Sequence, residues 1–374
     1  MKYYKLNGEN VSRLGFGCMR FKTLGDDNGK IDKKVSSEII VDAIDKGLTY
    51  IDTAYPYHDG TSEKFLGEFL EENNLRDKIL LTSKLPCWLV KEKDDFYKLF
   101  NEQLNNLRTK HLDFYLLHSL DIKRFRQMVD LGVFDFLDDL KAKGLVKKVG
   151  FSFHDNYEAF EEIIKSYDWD FCQIQLNYLD TNYQAGIKGY ELAKNLDIPV
   201  VVMEPIKGGR LANPPAEIMD LLENFTDLSP AQEALKFPLS LDNVMTVLSG
   251  MNDINQVREN IDMASMVDYN SLSEEDIDFY ERARAIYKSK EQIGCTACEY
   301  CLPCTVDINI PKVFSLWNNA YLYDESKKSK SQYENYLKDG VSPVECIECG
   351  KCEGICPQNL EIIKGLKQAH EFLS

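Results

Sequence analysis

Eight of the eleven cysteines lie in the last 80 residues, in two groups whose spacing suits metal binding. The first group has three successive two-residue gaps and comprises Cys295, Cys298, Cys301 and Cys304. The second has gaps of two, two and three residues and comprises Cys346, Cys349, Cys352 and Cys356. In a sequence with no evident secretion signal, thiols clustered in this way indicate metal ligands rather than disulfides.

The spacing favours iron-sulfur clusters over zinc. The second group, followed by Pro357, resembles the bacterial ferredoxin run, in which three thiolates bind one four-iron four-sulfur cluster and the fourth binds another. We therefore predict two 4Fe-4S clusters, one held by Cys295, Cys298, Cys301 and Cys356 and the other by Cys346, Cys349, Cys352 and Cys304. The first group departs from that run, since Thr305 stands where the run has proline and the last gap is one residue shorter. Zinc sites usually combine two separated pairs into one tetrahedron, which disfavours structural zinc.

The hydrophobic pattern of the preceding 260 or so residues indicates how other reactive groups are positioned. From Leu14 to about Ala264, eight strand-like runs alternate with amphipathic helical stretches. The runs begin at Leu14, Leu48, Lys78, Leu112, Lys147, Phe171, Ile198 and Val244. Alternating strands and helices predict a parallel sheet, and eight units favour a closed (β/α)₈ TIM barrel over an open sheet. The segment before Leu14 resembles a short hairpin that could plug the barrel floor.

A chain of 374 residues is long enough for a barrel of about 250 residues and a smaller module. After Asp268 a charged helical pattern leads to the first cysteine group, and the segment between the two groups also looks helical. We therefore expect a barrel over residues 1–288 and a small, mainly helical, ferredoxin-like iron-sulfur domain over residues 289–374.

Charge and hydropathy exclude several kinds of partner. The net charge of −17 opposes binding to nucleic acid or to anionic lipid, because both require a positive surface. No apolar run is long enough for a signal peptide or a membrane span. The sequence therefore predicts a soluble, cytoplasmic protein.

In a (β/α)₈ barrel, catalytic groups lie at the C-terminal ends of the strands. Asp52 ends the second predicted strand, Tyr57 follows five residues later, Lys84 ends the third strand and His118 ends the fourth. Their surroundings, Y-I-D-T-A-Y-P-Y, L-T-S-K and D-F-Y-L-L-H, resemble the catalytic motifs of the aldo/keto reductase family, and the resemblance covers roughly residues 10–265. It implies hydride transfer between a nicotinamide cofactor and a carbonyl group, with Tyr57 as the general acid.

The proposed chemistry is consistent with these residue types. A phenol with an ordinary pKa near 10 needs help to exchange protons at neutral pH, and a lysine ammonium supplies it. Lys84 would stabilise the phenolate and Asp52 would fix Lys84. His118 would donate a hydrogen bond to the substrate carbonyl oxygen.

The resemblance also suggests residues that contact the nicotinamide end of the cofactor. Ser152, His154 and Gln173 match positions that hold the carboxamide, with Phe153 in place of the usual Asn. Met203 stands where the family often has an aromatic, so a flavin remains an alternative carrier. The loop after the seventh strand could hold a pyrophosphate through glycine backbone and a basic side chain. The contacts assigned to this loop are Met203, Pro205, Lys207 and Gly208.

A later segment, S-G-M-N-D-I-N-Q-V-R-E-N, resembles the adenosine-binding segment of the family. Its assigned contacts are Gly250, Asn252, Gln256, Glu259 and Asn260. Members that prefer NADP carry a cation early in this segment, whereas here only Arg258 is basic. A 2′-phosphate without a cationic partner is poorly held, so NAD is expected over NADP.

Together these features predict an iron-sulfur oxidoreductase of aldo/keto reductase type, acting on a small carbonyl or alcohol substrate and exchanging electrons with an electron-transfer protein through its clusters. A hydride carrier moves two electrons at once, whereas a cluster moves one. Electron transfer between them therefore requires either two clusters or a flavin intermediate. Two alternatives stay open. The clusters could be purely structural, or the protein could be a non-catalytic electron-transfer or binding protein.

Overall fold

The computed structural model describes residues 1–25, 27–295, 297, 299–356 and 358–374. The chain divides into two compact units. The first comprises Met1–Ala212 and Leu228–Ser273, and the second comprises Asn213–Asp227 and Glu274–Ser374. No helix in the described part of the chain is long and apolar enough to cross a membrane.

Strands in the described residues form a hairpin and a closed barrel, both in the first unit. They are β1 (Tyr3–Leu6), β2 (Glu9–Ser12), β3 (Leu14–Gly17), β4 (Tyr50–Asp52), β5 (Leu80–Leu85), β6 (Leu112–Leu120), β7 (Val146–Phe153), β8 (Phe171–Gln175), β9 (Val200–Met203) and β10 (Val244–Ser249). The barrel order is β10-β3-β4-β5-β6-β7-β8-β9, and all neighbouring strands are parallel. Each of the eight strand-like runs forms one barrel strand, which confirms the predicted (β/α)₈ fold.

Helices alternate with the barrel strands and then continue through the second unit. They are α1 (Lys33–Asp45), α2 (Ser62–Glu72), α3 (Lys93–Asn106), α4 (Ile122–Asp130), α5 (Val133–Ala142), α6 (Tyr157–Ile164), α7 (Gly186–Asn195), α8 (Ala216–Glu223), α9 (Pro230–Leu239), α10 (Ile254–Met266), α11 (Glu274–Lys290), α12 (Ile310–Leu322), α13 (Ser326–Asp339), α14 (Lys351–Gly354) and α15 (Ile362–Leu373). By the division above, α8 and α11 to α15 belong to the second unit.

The N-terminal hairpin fills one end of the barrel. Strands β1 and β2 pair antiparallel. Leu6 and Val11 are buried in one apolar cluster with barrel residues such as Tyr50, Phe114 and Met245. The expected hairpin is confirmed, and it leaves the opposite rim, where the parallel strands end, for the reactive side chains.

The second unit has its own apolar core. Residues of α12, α13 and α15 form it, including Phe314, Trp317, Tyr333 and Leu366. Helices α12 and α13 confirm the helical segment predicted between the cysteine groups. Of the clustered cysteines that the structure describes, six lie partly buried against this core, namely Cys295, Cys301, Cys304, Cys346, Cys352 and Cys356.

Candidate active site

A buried lysine is the centre of the polar groups at the C-terminal rim of the barrel. Lys84 is 0% exposed, and its Nζ donates to Asp52 Oδ2 at 2.6 Å, to the Thr53 carbonyl at 2.9 Å and to Tyr57 Oη at 3.1 Å. Three acceptors match the three ammonium protons. In the sheet Asp52 pairs with Thr82, and Lys84 lies two residues further along β5 on the same face. The structure thus brings together Asp52, Tyr57 and Lys84.

The charge states of this group follow from its burial and contacts. Burial disfavours the Lys84 ammonium, but Asp52 and Tyr57 outweigh it and raise the lysine pKa. Burial raises the pKa of Tyr57, and the Lys84 charge opposes the shift. Tyr57 is therefore a protonated phenol at neutral pH. Because Lys84 already donates to its oxygen, the phenolic proton is available to another acceptor.

A β-bulge positions His118. Strand β6 was expected to end at His118 but runs on to Leu120, and its pairing with β7 shifts between Leu117 and Leu120. Within this bulge Ser119 has a φ of 55° and its N–H donates to Ser152 Oγ at 2.7 Å. Bulges re-aim side chains next to active sites. The His118 ring lies edge-on to Tyr57, with 6.0 Å between the ring centroids.

Two residues that sequence reasoning missed lie beside His118. The Trp88 ring centroid is 5.2 Å from that of His118, and the Arg124 guanidinium lies 5.9 Å from the Trp88 ring. Burial, followed by the Lys84 charge, lowers the pKa of His118 well below 6.5, and Arg124 adds to the effect. His118 is therefore neutral at pH 7. The sequence features that could have identified these two residues were an aromatic residue just after β5 and a basic residue in the first turn of α4.

Gln173 has a buried polar atom that lacks a partner. Gln173 is paired in register with Ser152. Its Nε2 donates to Met203 Sδ at 3.4 Å, whereas its Oε1 is buried and has no hydrogen-bond partner among the described residues. His118 Nδ1 is in the same state. Since buried polar atoms are normally paired, each of these two atoms can form a hydrogen bond with a polar group of a ligand.

The other residues expected near the nicotinamide lie on the same rim. Ser152 is buried on β7, and its hydroxyl keeps its own proton to donate after accepting from Ser119. His154 follows β7, and its Nδ1 lies 3.4 Å from Gln184 Nε2. Burial, followed by Arg124, lowers the pKa of His154.

The loop after β9 has the backbone expected of an anion site, but its lysine is engaged. Gly208 and Gly209 have left-handed φ values of 64° and 94°, and Pro205 is buried just before them. Lys207 Nζ forms an ion pair with Asp180 Oδ2 at 2.5 Å. Asp180 therefore neutralises the basic side chain that the sequence offered for phosphate binding.

In the segment that resembles the adenosine-binding segment of the family, only some of the predicted contact residues are exposed to solvent. Gly250, Asn252, Gln256 and Glu259 are exposed, and the Asn252 N–H donates to Gln256 Oε1 at 3.0 Å. Asn260 is buried and donates to Ser249 Oγ at 3.1 Å. Arg258 pairs with Asp42 at 3.2 Å. Asn260 thus holds α10 to β10, and Arg258 has an acidic partner.

The clustered cysteines of the second unit border two cavities. The larger, of about 190 Å³, is lined by Cys301, Cys304, Cys346, Cys349 and Cys352, together with apolar residues such as Ile310 and Leu366. The smaller, of about 20 Å³, is lined by Cys295, Cys301 and Cys356. Cys298 lies outside the described residues. Among the residues that the structure describes, no three metal-ligating side chains converge on a site for a single ion.

Comparison with known families agrees with both units. Residues 13–282 match the model of the aldo/keto reductase family. The chain belongs to the aldo/keto reductase family. Residues 294–361 match the model of the 4Fe-4S dicluster domain, so this aldo/keto reductase is an oxidoreductase with a C-terminal 4Fe-4S domain.

Relatives of this aldo/keto reductase include bacterial oxidoreductases. It is 25% identical over 299 residues to an uncharacterized oxidoreductase, YqkF, of Bacillus subtilis (strain 168), covering 72% of this chain and 91% of that protein. It is 24% identical over 299 residues to the NADH-specific methylglyoxal reductase of Escherichia coli (strain K12), covering 67% and 89%.

Solved structures resemble the barrel. The holo form of aldo-keto reductase AKR11C1 from Bacillus halodurans has a TM-score of 0.62 and 25% identity, covering 75% of this chain and 96% of that one. An aldo/keto reductase from Klebsiella pneumoniae in complex with NADP and acetate has a TM-score of 0.59 and 23% identity, covering 75% and 94%.

Removing the Lys84 ammonium should destabilise the barrel through Asp52. In Lys84→Met the Asp52 carboxylate stays buried without its cation, and we expect a loss of about 3–5 kcal/mol in the free energy of unfolding. Adding Asp52→Asn removes the stranded charge, so the double variant should be more stable than Lys84→Met alone. Urea unfolding followed by circular dichroism measures all three proteins. A double variant as unstable as Lys84→Met would contradict this account of the pair.

The depressed pKa of His118 should make stability depend on pH. Below its ordinary pKa of 6.5 the unfolded chain binds a proton that the fold excludes. Stability is therefore complete above about pH 6.5 and is lost as the pH falls below that value. His118→Gln should reduce the loss of unfolding free energy between about pH 7 and about pH 5. His154→Gln, at a site with a smaller downward shift, is the matched control and should change the loss less. Equal pH dependence in the wild type and His118→Gln would show that His118 does not contribute.

Proposed function

We propose that this aldo/keto reductase interconverts a small carbonyl and its alcohol with a nicotinamide cofactor, and exchanges electrons with a partner protein through two 4Fe-4S clusters. One observation carries the proposal for the barrel. A fully buried Lys84 donates simultaneously to Asp52 and Tyr57, at the rim where barrel enzymes place their catalytic groups. The family match and the eight clustered cysteines support the rest.

The side chains of the barrel fit proton transfer to a carbonyl oxygen. When bound, the nicotinamide supplies or accepts the hydride. Tyr57 delivers its phenolic proton to the carbonyl oxygen, and Lys84, 3.1 Å from the same oxygen, stabilises the phenolate that remains. Asp52 holds Lys84 in place. Neutral His118 orients the carbonyl by donating a hydrogen bond.

Polar groups of the rim fit a nicotinamide carboxamide. Gln173 Oε1 is a buried acceptor that lacks a partner among the described residues, and a carboxamide nitrogen supplies the missing donor. We propose Ser152 and His154 as its neighbours in this contact. Met203, Pro205, Gly208, Gly250, Asn252, Gln256, Glu259 and Asn260 remain the proposed contacts along the rest of the dinucleotide.

The choice between NAD and NADP depends on cations near the adenosine. Lys207 and Arg258 are both paired with carboxylates, so neither offers a free charge to a 2′-phosphate. This favours NAD, in line with the NADH-specific relative, although the NADP-bound neighbour has the same fold.

The cysteine cavities fit iron-sulfur clusters. When bound, a cluster carries one electron at a time. Cys304 lines the larger cavity with Cys346, Cys349 and Cys352, and Cys356 lines the smaller with Cys295 and Cys301. The larger cavity is also lined by Cys301, which lines both cavities. The positions of Cys304 and Cys356, each beside cysteines of the other motif, support the proposed exchange of fourth ligands. Thiolate donors with apolar lining are the usual setting of such clusters.

The surface around the larger cavity supports electron exchange over a purely structural role. Cys349 is exposed, and Ile347 and Ile355 at the edge of the cavity are 59% and 54% exposed. A cluster held there lies near solvent, where a partner protein can approach it. A cluster that only held helices together would not need this exposed apolar rim.

Anaerobic purification followed by iron, sulfide, zinc and flavin analysis tests the proposal, with visible spectra before and after adding NADH or NADPH. We expect about eight irons per chain and bleaching by NADH. Eight irons without bleaching by either nucleotide would favour structural clusters or another donor. Zinc in place of iron would refute the cluster assignment, and bound flavin would refute direct transfer from the nicotinamide to the clusters.

Tyr57→Phe separates catalysis from cluster binding. The variant keeps the ring but lacks the proton, so carbonyl reduction should fall by about 100-fold or more. Iron content and NADH binding should stay at wild-type levels, because Tyr57 is outside the second unit and assigned only to proton transfer. Unchanged carbonyl reduction in Tyr57→Phe would show that another group is the acid.

A further inference from the structure

Arg20 spans two loops at the C-terminal rim of the barrel. It ends the short helical turn Cys18–Arg20 directly after β3. A Cβ built on Gly250 would lie 2.6 Å from Arg20 Cγ, and one built on Gly208 would lie 3.4 Å from Arg20 Nη2. The stem of the side chain therefore rests on the loop after β10, and its guanidinium reaches the loop after β9.

The charge of Arg20 is available, unlike that of the two paired cations, Lys207 and Arg258, in the predicted cofactor segments. Arg20 is exposed and makes no hydrogen bond or ion pair within the part of the chain that the structure describes. Lys207 pairs with Asp180, and Arg258 pairs with Asp42. The carboxylate of Glu204 also lies near Gly208, 3.6 Å from the same Cβ position, so an anion there needs a cation to offset Glu204.

We propose that Arg20 binds the diphosphate of the dinucleotide, an inference that rests on the proposed function. A guanidinium binds phosphate oxygens through paired, charge-assisted hydrogen bonds. Arg20 lies between the loop assigned to the pyrophosphate and the segment assigned to adenosine. Gly250 acquires a second role, because a Cβ at this position would displace the stem of Arg20.

Binding of NADH, NADPH and ADP-ribose to the full-length holoprotein, measured by calorimetry, tests this assignment. Arg20→Gln should weaken all three by about tenfold or more and by similar factors, because all three contain the diphosphate. Arg20→Lys, which keeps the charge, should lose less. Glu204→Gln should tighten binding, since it removes the opposing charge. Arg126→Gln is the control for charge and should have no effect, because Arg126 on α4 pairs with Glu162 on α6.

The outcomes separate the inference from the proposed function. A wild-type protein that binds none of the three nucleotides would refute the nicotinamide assignment. A wild type that binds them, with Arg20→Gln binding NADH and ADP-ribose equally well, would overturn only the role of Arg20. A loss confined to NADPH would also overturn it, since Arg20 would then contact the 2′-phosphate.

A separate observation in the second unit concerns Thr305. Its Oγ1 lies 3.4 Å from Cys349 Sγ, and both residues line the larger cysteine cavity. Thr305 is also the residue that replaces the proline of the ferredoxin run. A cysteine sulfur bound to iron carries no proton, so Thr305 must be the donor in this contact.

We infer that Thr305 raises the reduction potential of the cluster proposed for Cys304, Cys346, Cys349 and Cys352. A hydrogen bond to a ligand sulfur favours the reduced cluster, which carries one more negative charge. Proline has no donor to offer at this position. The departure from the ferredoxin pattern is thus a tuning device for one of the two proposed clusters.

Redox titration of the anaerobically purified full-length protein, followed by electron paramagnetic resonance, tests this inference. Thr305→Val keeps the shape without the hydroxyl, and one of two midpoint potentials should become more negative. Thr305→Ser keeps the hydroxyl and should match the wild type. If Thr305→Val loses iron, Thr305→Ala provides the same comparison. Wild-type potentials in a fully loaded Thr305→Val or Thr305→Ala would overturn the inference, whereas a wild type without iron would refute the clusters themselves.

Discussion

The Lys84 ammonium constrains the whole rim of the barrel. A cation with no solvent exposure is tolerated only when its protons all find acceptors, and these come from Asp52, Thr53 and Tyr57. Supplying them requires the register of β4 against β5 and a fixed path for the turn that follows β4. The same requirement that stabilises the fold therefore places the phenol beside the cation, so stability and acid chemistry share one set of contacts.

Features of the fold and of the candidate site were predictable where the residues that produce them lie close together in the sequence. The barrel followed from eight apolar runs, and Asp52 and Lys84 followed from their places at strand ends. Tyr57 followed from the resemblance of its surroundings to the family motif. The bulge at His118 was not predictable, because it arises from the pairing of β6 with β7. The segment L-L-H-S-L contains no glycine that would indicate a bulge. Trp88 and Arg124 were missed for a related reason, since the contacts of Trp88 with His118 and with Arg124 exist only once the strand ends are brought together.

The availability of charged side chains for ligand binding was the property that the sequence predicted least well. Residue type identifies Lys207 and Arg258 as cations, but their partners, Asp180 and Asp42, lie 27 and 216 residues away along the chain. Arg20 shows the converse, because nothing near it in sequence marks it as a neighbour of Gly208 and Gly250. The tertiary structure determines whether a charged side chain forms an ion pair within the protein or is available to bind a ligand.

The second unit is assembled from two separate stretches of chain, and this limits how the protein can be made or divided. Helix α8 lies between barrel elements in sequence, yet belongs with α11, where Phe225 stacks on Phe279 at 4.9 Å and Glu217 pairs with Lys290 at 2.9 Å. During synthesis α8 leaves the ribosome before α11 has been made, so the two helices can pack together only later. A cut between Ser273 and Glu274 would therefore leave α8 on the first fragment and its partner α11 on the second.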